Sequence, residues 1–158
     1  MKKLSLLSAI VMIFISCNCQ KKAVEKTTLT SNETSMKQET AMPKLEYEAN
    51  TRGFYQKIVI ENNIITIISD RNSAGKGETI AVSNQDLNEL MEAFQGVKIE
   101  DLATYKDPTQ KRFYDGAAIA NLKIYKDGKE YQTTDFDHGF PPVEIEKLVN
   151  KIVSFGKQ

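Results

Sequence analysis

The chain of 158 residues has room for one domain of average size plus terminal tails. Its 21 basic and 21 acidic residues cancel, and it contains no basic stripe or Arg-rich run. Non-specific nucleic-acid binding needs a surplus of positive charge, so this class of function is excluded.

The N-terminus has the composition of an export signal. A basic start, MKK, is followed by an apolar run from Leu4 to Ile15. The run is shorter than the ~20 residues that span a bilayer, and it fits the hydrophobic region of a signal peptide. Its ending, FISC, looks like the lipobox of bacterial lipoproteins, in which a small residue precedes an acylated cysteine. We therefore predict a signal peptide over residues 1–16 and lipidation of Cys17.

Cysteine usage agrees with this interpretation. Both cysteines, Cys17 and Cys19, lie at the signal junction, so the rest of the chain has no disulfide framework. The residues after Cys17 lack an Asp at the second position, which would look like an inner-membrane retention signal in some bacteria. This absence favours attachment to the outer membrane, with the protein facing the periplasm. Two alternatives explain the apolar run at the N-terminus: a plain secretory signal that is cleaved elsewhere, and a buried apolar helix.

Residues 17–43 are expected to form the lipidated N-terminus and a disordered tether. They are rich in Thr, Ser, Lys, Glu and Gln and show no sustained period of 3.6 or 2. Such a segment buries too little apolar surface to offset the entropy of ordering. A single α+β domain is then expected over residues 44–158.

The first half of this domain predicts a hairpin, a strand and a helix. Two β-branched and aromatic runs, Gly53–Glu61 and Ile64–Ser69, flank Asn62-Asn63, a pair that tolerates the positive φ angles of a two-residue turn. A Gly-containing loop, predicted to be only a connection, leads to the short strand TIAV. Ser83 then caps a helix, with an acid three residues on as in a capping box. This helix is expected to end at Gly96.

The second half predicts another hairpin and another helix. The strands Ala117–Tyr125 and Lys129–Thr134 are joined by KDG, a strong turn signal. Proline suits a first helical turn, so the last helix is expected to begin at Pro141-Pro142 and to end at Gly156. The expected fold is α+β: a mostly antiparallel sheet of four to five strands, with two hairpins, covered on one face by two helices.

The stretch DFDHGFPP holds the chain's single histidine, His138. Strand geometry points His138 away from the neighbouring acids, and a zinc or copper site would need remote carboxylates, so we predict no metal and no cofactor. A ligand role for Asp137 and His138 is one alternative. The structural alternative is that Asp137 caps a turn, His138 hydrogen-bonds locally, Gly139 has a positive φ, and Phe140 packs under the last helix.

A second candidate lies in QKRFYDGA, before the second hairpin. Arg112 and Asp115 combine a fixed cation with an acid, and Arg52 is expected nearby. Because arginine binds carboxylates bidentately, these residues join Asp137 and His138 in a candidate ligand-binding set. An Arg–Asp ion pair that only stabilises the fold explains the same residues. No G-x-S-x-G motif is present, and the domain has no cysteine, so we expect no nucleophilic catalysis.

Three stretches, TRGFYQKI, KRFYDGA and FDHGFPP, together resemble small, uncharacterised lipoproteins of Gram-negative bacteria. The resemblance covers roughly Thr51 to Ile152. It implies no particular activity. It does imply that the Arg, Asp and His stretches act together, as one polar cluster around the sheet edge.

The expected function is that of a membrane-anchored periplasmic lipoprotein, a non-catalytic binding or interaction module of the cell envelope. Its expected partners are the membrane, through the lipid anchor, and an envelope protein or small ligand. The alternative is a metal- or small-ligand-dependent enzyme that uses the Arg/Asp/His cluster. Convergence of these side chains in one open pocket favours the ligand or enzyme alternative, whereas a His138 that is buried against Phe140 or points alone into solvent argues against it.

Overall fold

The computed structural model describes residues 42–157, and this part of the chain contains seven strands, two α-helices and three short 3₁₀ helices. The predicted signal peptide, Cys17 and the tether as far as residue 41 lie outside the described residues. The strands are β1 (Lys44–Asn50), β2 (Tyr55–Glu61), β3 (Ile64–Ile68), β4 (Glu78–Ala81), β5 (Ile119–Lys126), β6 (Lys129–Gln132) and β7 (Phe136–Asp137). The helices are α1 (Asn84–Gln95) and α2 (Glu146–Phe155), and the 3₁₀ helices are Ile99–Thr104, Lys111–Tyr114 and Val143–Ile145.

All seven strands form one antiparallel sheet in the order β4-β3-β2-β1-β5-β6, and β7 pairs with the start of β5. The α+β class and the antiparallel sheet are confirmed. The predicted count of four to five strands is wrong. Two strands were not predicted: β1, which lies at the centre of the sheet, and β7, which is too short to show a pattern.

Both predicted hairpin turns are present. Asn62 and Asn63 have φ angles of 52° and 60° between β2 and β3, while Asp127 and Gly128 have 52° and 74° between β5 and β6. Positive φ at both central residues matches the twist of the flanking strands. These turns fix the register of each hairpin, with Lys57 opposite Ile68 in the first.

One face of the sheet is buried. In β1 the side chains of Leu45, Tyr47 and Ala49 are inaccessible to solvent, and they alternate with partly exposed residues. Their neighbours on β2 and β5 are buried as well: Ile60, Ile58, Gln56, Ile124, Leu122 and Ala120. Helix α2 contacts β1 and α1, and it contributes five buried residues to the same core: Leu148, Val149, Ile152, Val153 and Phe155.

The helix ends follow the sequence in three of four places. Ser83 caps α1 by accepting a hydrogen bond from the Asp86 N–H, and the glycines at 96 and 156 end the two helices. The predicted start of α2 at Pro141-Pro142 is wrong. Pro142 is extended and precedes a 3₁₀ turn, and α2 begins at Glu146. None of the described helices is both long enough and apolar enough to cross a membrane.

Candidate functional site

An open cleft of about 360 Å³ lies where β1 ends and β5 begins. The register places Asn50, the last residue of β1, beside Tyr55 and Ile119, the first residues of β2 and β5. The polar lining comes mainly from connections rather than from strands. The charged residues of the lining are Arg52, Arg71, Arg112 and Asp115.

The connection from β1 to β2 holds Arg52 at the cleft. The Thr51 N–H donates to the Phe54 carbonyl at 2.8 Å, and the Gly53 N–H donates to Thr51 Oγ1 at 3.3 Å, so the 51–54 turn is closed by its own hydrogen bonds. Arg52 is exposed in this turn, and it makes no hydrogen bond or ion pair with any other residue in the range 42–157.

Arg71 approaches the cleft from the loop after β3. Its Nη2 donates to the Thr51 carbonyl at 2.9 Å, and its guanidinium lies 5.6 Å from the centroid of the Tyr55 ring. Arg71 therefore braces the 51–54 turn while lining the same cleft. The loop that holds Arg71 was predicted to be only a connection, so Arg71 was not among the predicted site residues.

Arg112 is held by two carboxylates. Its Nη1 donates to Asp107 Oδ2 at 2.7 Å and to Asp137 Oδ1 at 3.1 Å. The pKa of Arg112 is raised, chiefly by the hydrogen bond to Asp107. The pair of Arg112 with Asp137 is the structural ion pair that the sequence offered as an alternative.

Asp137 is fully buried on β7, behind the cleft. Its carboxylate also accepts hydrogen bonds from the Thr109 hydroxyl and from the N–H groups of Lys111 and Arg112, which caps the Lys111–Tyr114 3₁₀ helix. Burial alone raises the pKa of Asp137, but these hydrogen bonds outweigh it and lower the pKa to about 2. The carboxylate is therefore ionised and occupied by protein donors.

Asp115 ends the same 3₁₀ helix. Its φ of 58° is left-handed, and its N–H donates to the Lys111 carbonyl. Aspartate tolerates this backbone conformation better than most residues. Asp115 is exposed at the cleft, and its carboxylate has no hydrogen-bond or ion-pair partner among residues 42–157.

His138 lies outside the cleft lining. Its Nδ1 is 2.7 Å from the Tyr47 hydroxyl, and its ring centroid is 5.3 Å from that of Phe54. Burial lowers the pKa of His138 below its ordinary value, and the positive charge of Lys157 lowers it further. The expected local hydrogen bond is therefore wrong, because Tyr47 is 91 residues away.

The structural alternative for DFDHGFPP, in which these residues only connect a strand and a helix, is otherwise right in part. Asp137 does cap a turn, and Gly139 has a φ of 85°. Phe140 does not pack under the last helix: 39% of its surface is exposed, and the Lys111 Nζ lies 3.6 Å from its ring centroid.

The structure thus brings together three of the five predicted site residues. Arg52, Arg112 and Asp115 line the cleft, whereas Asp137 lies behind Arg112 and His138 lies behind the 51–54 turn. The register of the first hairpin could have predicted the position of Arg71, which was missed. Arg71 lies three residues after Ile68, the partner of Lys57 near the start of β2, and so lies close to the 51–54 turn that precedes β2.

Within residues 42–157, no group of three or more His, Cys, Asp or Glu side chains is arranged to hold a metal ion. Comparisons with family models, with curated proteins and with solved structures found no significant match. The resemblance to small lipoproteins of Gram-negative bacteria therefore stays a prediction.

Proposed function

We propose that this chain is an exported, lipid-anchored protein of the cell envelope whose folded domain is a non-catalytic binding module for a small anionic ligand. In this proposal the lipid on Cys17 holds the protein to the outer membrane, on its periplasmic side. The group of small Gram-negative lipoproteins that the sequence resembles is proposed as its family. The observation that carries the binding function is the cleft lined by Arg52, Arg71 and Arg112.

The charge balance of the cleft favours an anion. Arg112 is offset by Asp107 and Asp137, but Arg52 and Arg71 have no carboxylate within 4.0 Å among the described residues. A guanidinium presents donors in a planar fork that matches carboxylate and phosphate groups. Arg71 is already oriented by the Thr51 carbonyl and the Tyr55 ring, so less side-chain entropy is lost when it binds.

The positions of Asp137 and His138 support binding rather than catalysis. The enzyme alternative needs these two side chains at the ligand. The Asp137 carboxylate is occupied by four protein donors, and the His138 ring contacts Tyr47 and Phe54. Neither residue lines the cleft.

We also propose that helices α1 and α2 cover one face of the sheet. This arrangement leaves the strand ends, where the cleft lies, uncovered. Contacts of α2 with β1 and α1 support this arrangement. The Gln56 side chain of β2 also donates to the Gly156 carbonyl at the end of α2, at 3.2 Å. On the other side of α2, Lys151 bonds to Asp86 and Glu89 of α1 at 2.7 and 2.5 Å.

Calorimetric titration of the full-length protein, in a neutral detergent, with inorganic phosphate and with propionate tests the proposal. We expect at least one of these anions to bind, and the double variant Arg52→Gln, Arg71→Gln to weaken it by about tenfold or more, because charge-assisted hydrogen bonds contribute ~1.5–3 kcal/mol each. Added salt should weaken binding as well.

The matched control is Lys126→Gln, Lys129→Gln, which removes two positive charges at the β5–β6 hairpin. Neither lysine forms an ion pair among the described residues or lines the cleft. This control should bind like the parent protein. Equal weakening in both double variants means that net charge, not the cleft, attracts the anion. The proposal is overturned if neither anion binds and no other probe that carries an acid group binds either.

A further inference from the structure

Asp115 places a negative charge in a cleft that is otherwise lined by cations. Its carboxylate accepts nothing from Arg52, Arg71 or Arg112, although all four residues line the same space. A simple anion bound to Arg52 and Arg71 would therefore share the cleft with an unpaired carboxylate. Like charges in one site are unfavourable, whereas opposite charges on the ligand satisfy both groups.

The two arginines without a carboxylate partner, Arg52 and Arg71, come from other elements than Asp115. The cationic side is built by the 51–54 turn and by Arg71, which are tied together through the Thr51 carbonyl. The acidic side is the end of the Lys111–Tyr114 3₁₀ helix, where the N–H groups of Asp115 and Gly116 both donate to the Lys111 carbonyl. Each side is held by its own hydrogen bonds, and no ion pair within 4.0 Å joins Asp115 to Arg52 or Arg71, so both signs of charge are free for a ligand.

On the basis of the proposed function, we infer that the ligand of the cleft is a small zwitterion, an acid that also carries a primary ammonium group. The acid group pairs with Arg52 and Arg71, and the ammonium group donates to the Asp115 carboxylate. Amino acids and aminoalkyl phosphates share this chemistry. The volume of about 360 Å³ lies at the low end of the range for small-molecule sites, which suits a ligand of this size.

The remaining lining suits the short hydrocarbon part of such a ligand. Ala117 and Ile119 line the cleft, and 41% of the Ile119 surface is exposed. The other six lining residues are polar or charged, so the cleft is more polar than the usual small-molecule site, as a ligand with two charged groups requires. Here the apolar residues lie at the start of β5, next to the two charged sides.

The inference is tested with two matched pairs of probes that differ in the amino group. L-alanine is compared with propionate, and phosphoethanolamine with ethyl phosphate, by calorimetric titration of the full-length protein. In at least one pair we expect the ammonium-bearing member to bind about tenfold tighter, since a charge-assisted hydrogen bond contributes that much or more. Asp115→Asn should bring the two members of that pair to equal affinity.

Asp127→Asn is the control, because Asp127 has a φ of 52°, close to the 58° of Asp115, and lies at the β5–β6 hairpin. Asparagine also tolerates left-handed backbone, so both variants should fold. The control should keep the preference for the ammonium-bearing probe. If the plain acids bind as tightly as their amino partners, or if Asp115→Asn keeps the preference, the zwitterion is wrong while the anion site stands. If no probe binds, the proposed function itself fails.

Discussion

Asp137 is the buried charge on which the local geometry of the cleft depends. It receives hydrogen bonds from the Thr109 hydroxyl, from the N–H groups of Lys111 and Arg112, and from the Arg112 side chain. These bonds fix the start of the 3₁₀ helix that ends in Asp115. One buried residue thus positions both a cation and an acid of the cleft.

Asp137→Asn should lower the free energy of unfolding by about 3 kcal/mol at neutral pH, because it leaves the Arg112 guanidinium without one partner and turns an amide N–H₂ toward donors. Urea denaturation of the full-length protein, followed by circular dichroism, measures this. The control is Asp135→Asn, an exposed position two residues earlier, which should change stability by less than about 0.5 kcal/mol.

The same carboxylate gives stability a defined dependence on acid. The pKa of Asp137 is about 2 in the folded protein and about 3.9 in an unfolded chain, so the folded state favours the charged form. Its contribution, about 2.6 kcal/mol, is complete above pH ~5 and is lost as the pH falls through the folded-state pKa toward pH ~1. Asp137→Asn should lack this loss, and an unchanged loss in the variant would contradict the assignment.

Residue types predicted part of the cleft lining but not the role of every residue. Arg52, Arg112 and Asp115 were named because a fixed cation near an acid can bind a ligand, and the same residues can form an ion pair. His138 was misjudged because its partner, Tyr47, comes from a strand that the sequence analysis did not predict. Arg71 was missed because its loop was judged by its glycines and not by the register of the hairpin before it.

At the scale of secondary structure elements, β1 shows why part of the fold was not predictable from local pattern. Leu45, Tyr47 and Ala49 alternate with polar residues, but the strand has no β-branched residue and carries two glutamates. Its stability comes from pairing on both sides, and Lys57 on β2 pairs with Glu46 at 2.6 Å. Strand propensity depends on such neighbours more than on the strand's own residues.

Helix α1, by contrast, was predicted from its cap, and the cap gives a test. The Ser83 Oγ accepts from the Asp86 N–H at 3.1 Å and donates to the Asp86 carboxylate at 2.5 Å. Ser83→Ala should reduce the free energy of unfolding by about 1 kcal/mol, and Ser83→Thr should restore most of it. Urea denaturation measures both, with Ser69→Ala at an exposed loop position as the control. Equal effects of the two alanine substitutions would rule out the cap as the cause.

At the scale of the whole molecule, the cleft lies at the end of β1 that is opposite the entry of the chain. The chain enters β1 at Lys44, and the cleft begins at Asn50, six residues later. At ~3.3 Å per residue the two ends are about 20 Å apart. The proposed lipid anchor precedes β1 in the chain, so the proposed ligand site lies at the end of β1 that is farther along the chain from it.

The proposed membrane attachment rests on the resemblance of FISC to a lipobox, so it is tested at Cys17. Each buried acyl CH₂ contributes about 0.8 kcal/mol, and a stable anchor needs two or more chains. Cys17→Ser should therefore move the full-length protein, expressed in a Gram-negative host, out of the detergent-extractable membrane fraction and remove the acyl mass from its N-terminal peptide. Cys19→Ser, two residues away, should leave both readouts unchanged, because only the first cysteine follows the small residue of FISC. Acylation that persists in Cys17→Ser, or is lost in Cys19→Ser, would assign the lipid to the other cysteine. A parent protein that carries no acyl mass would contradict the proposed lipid anchor.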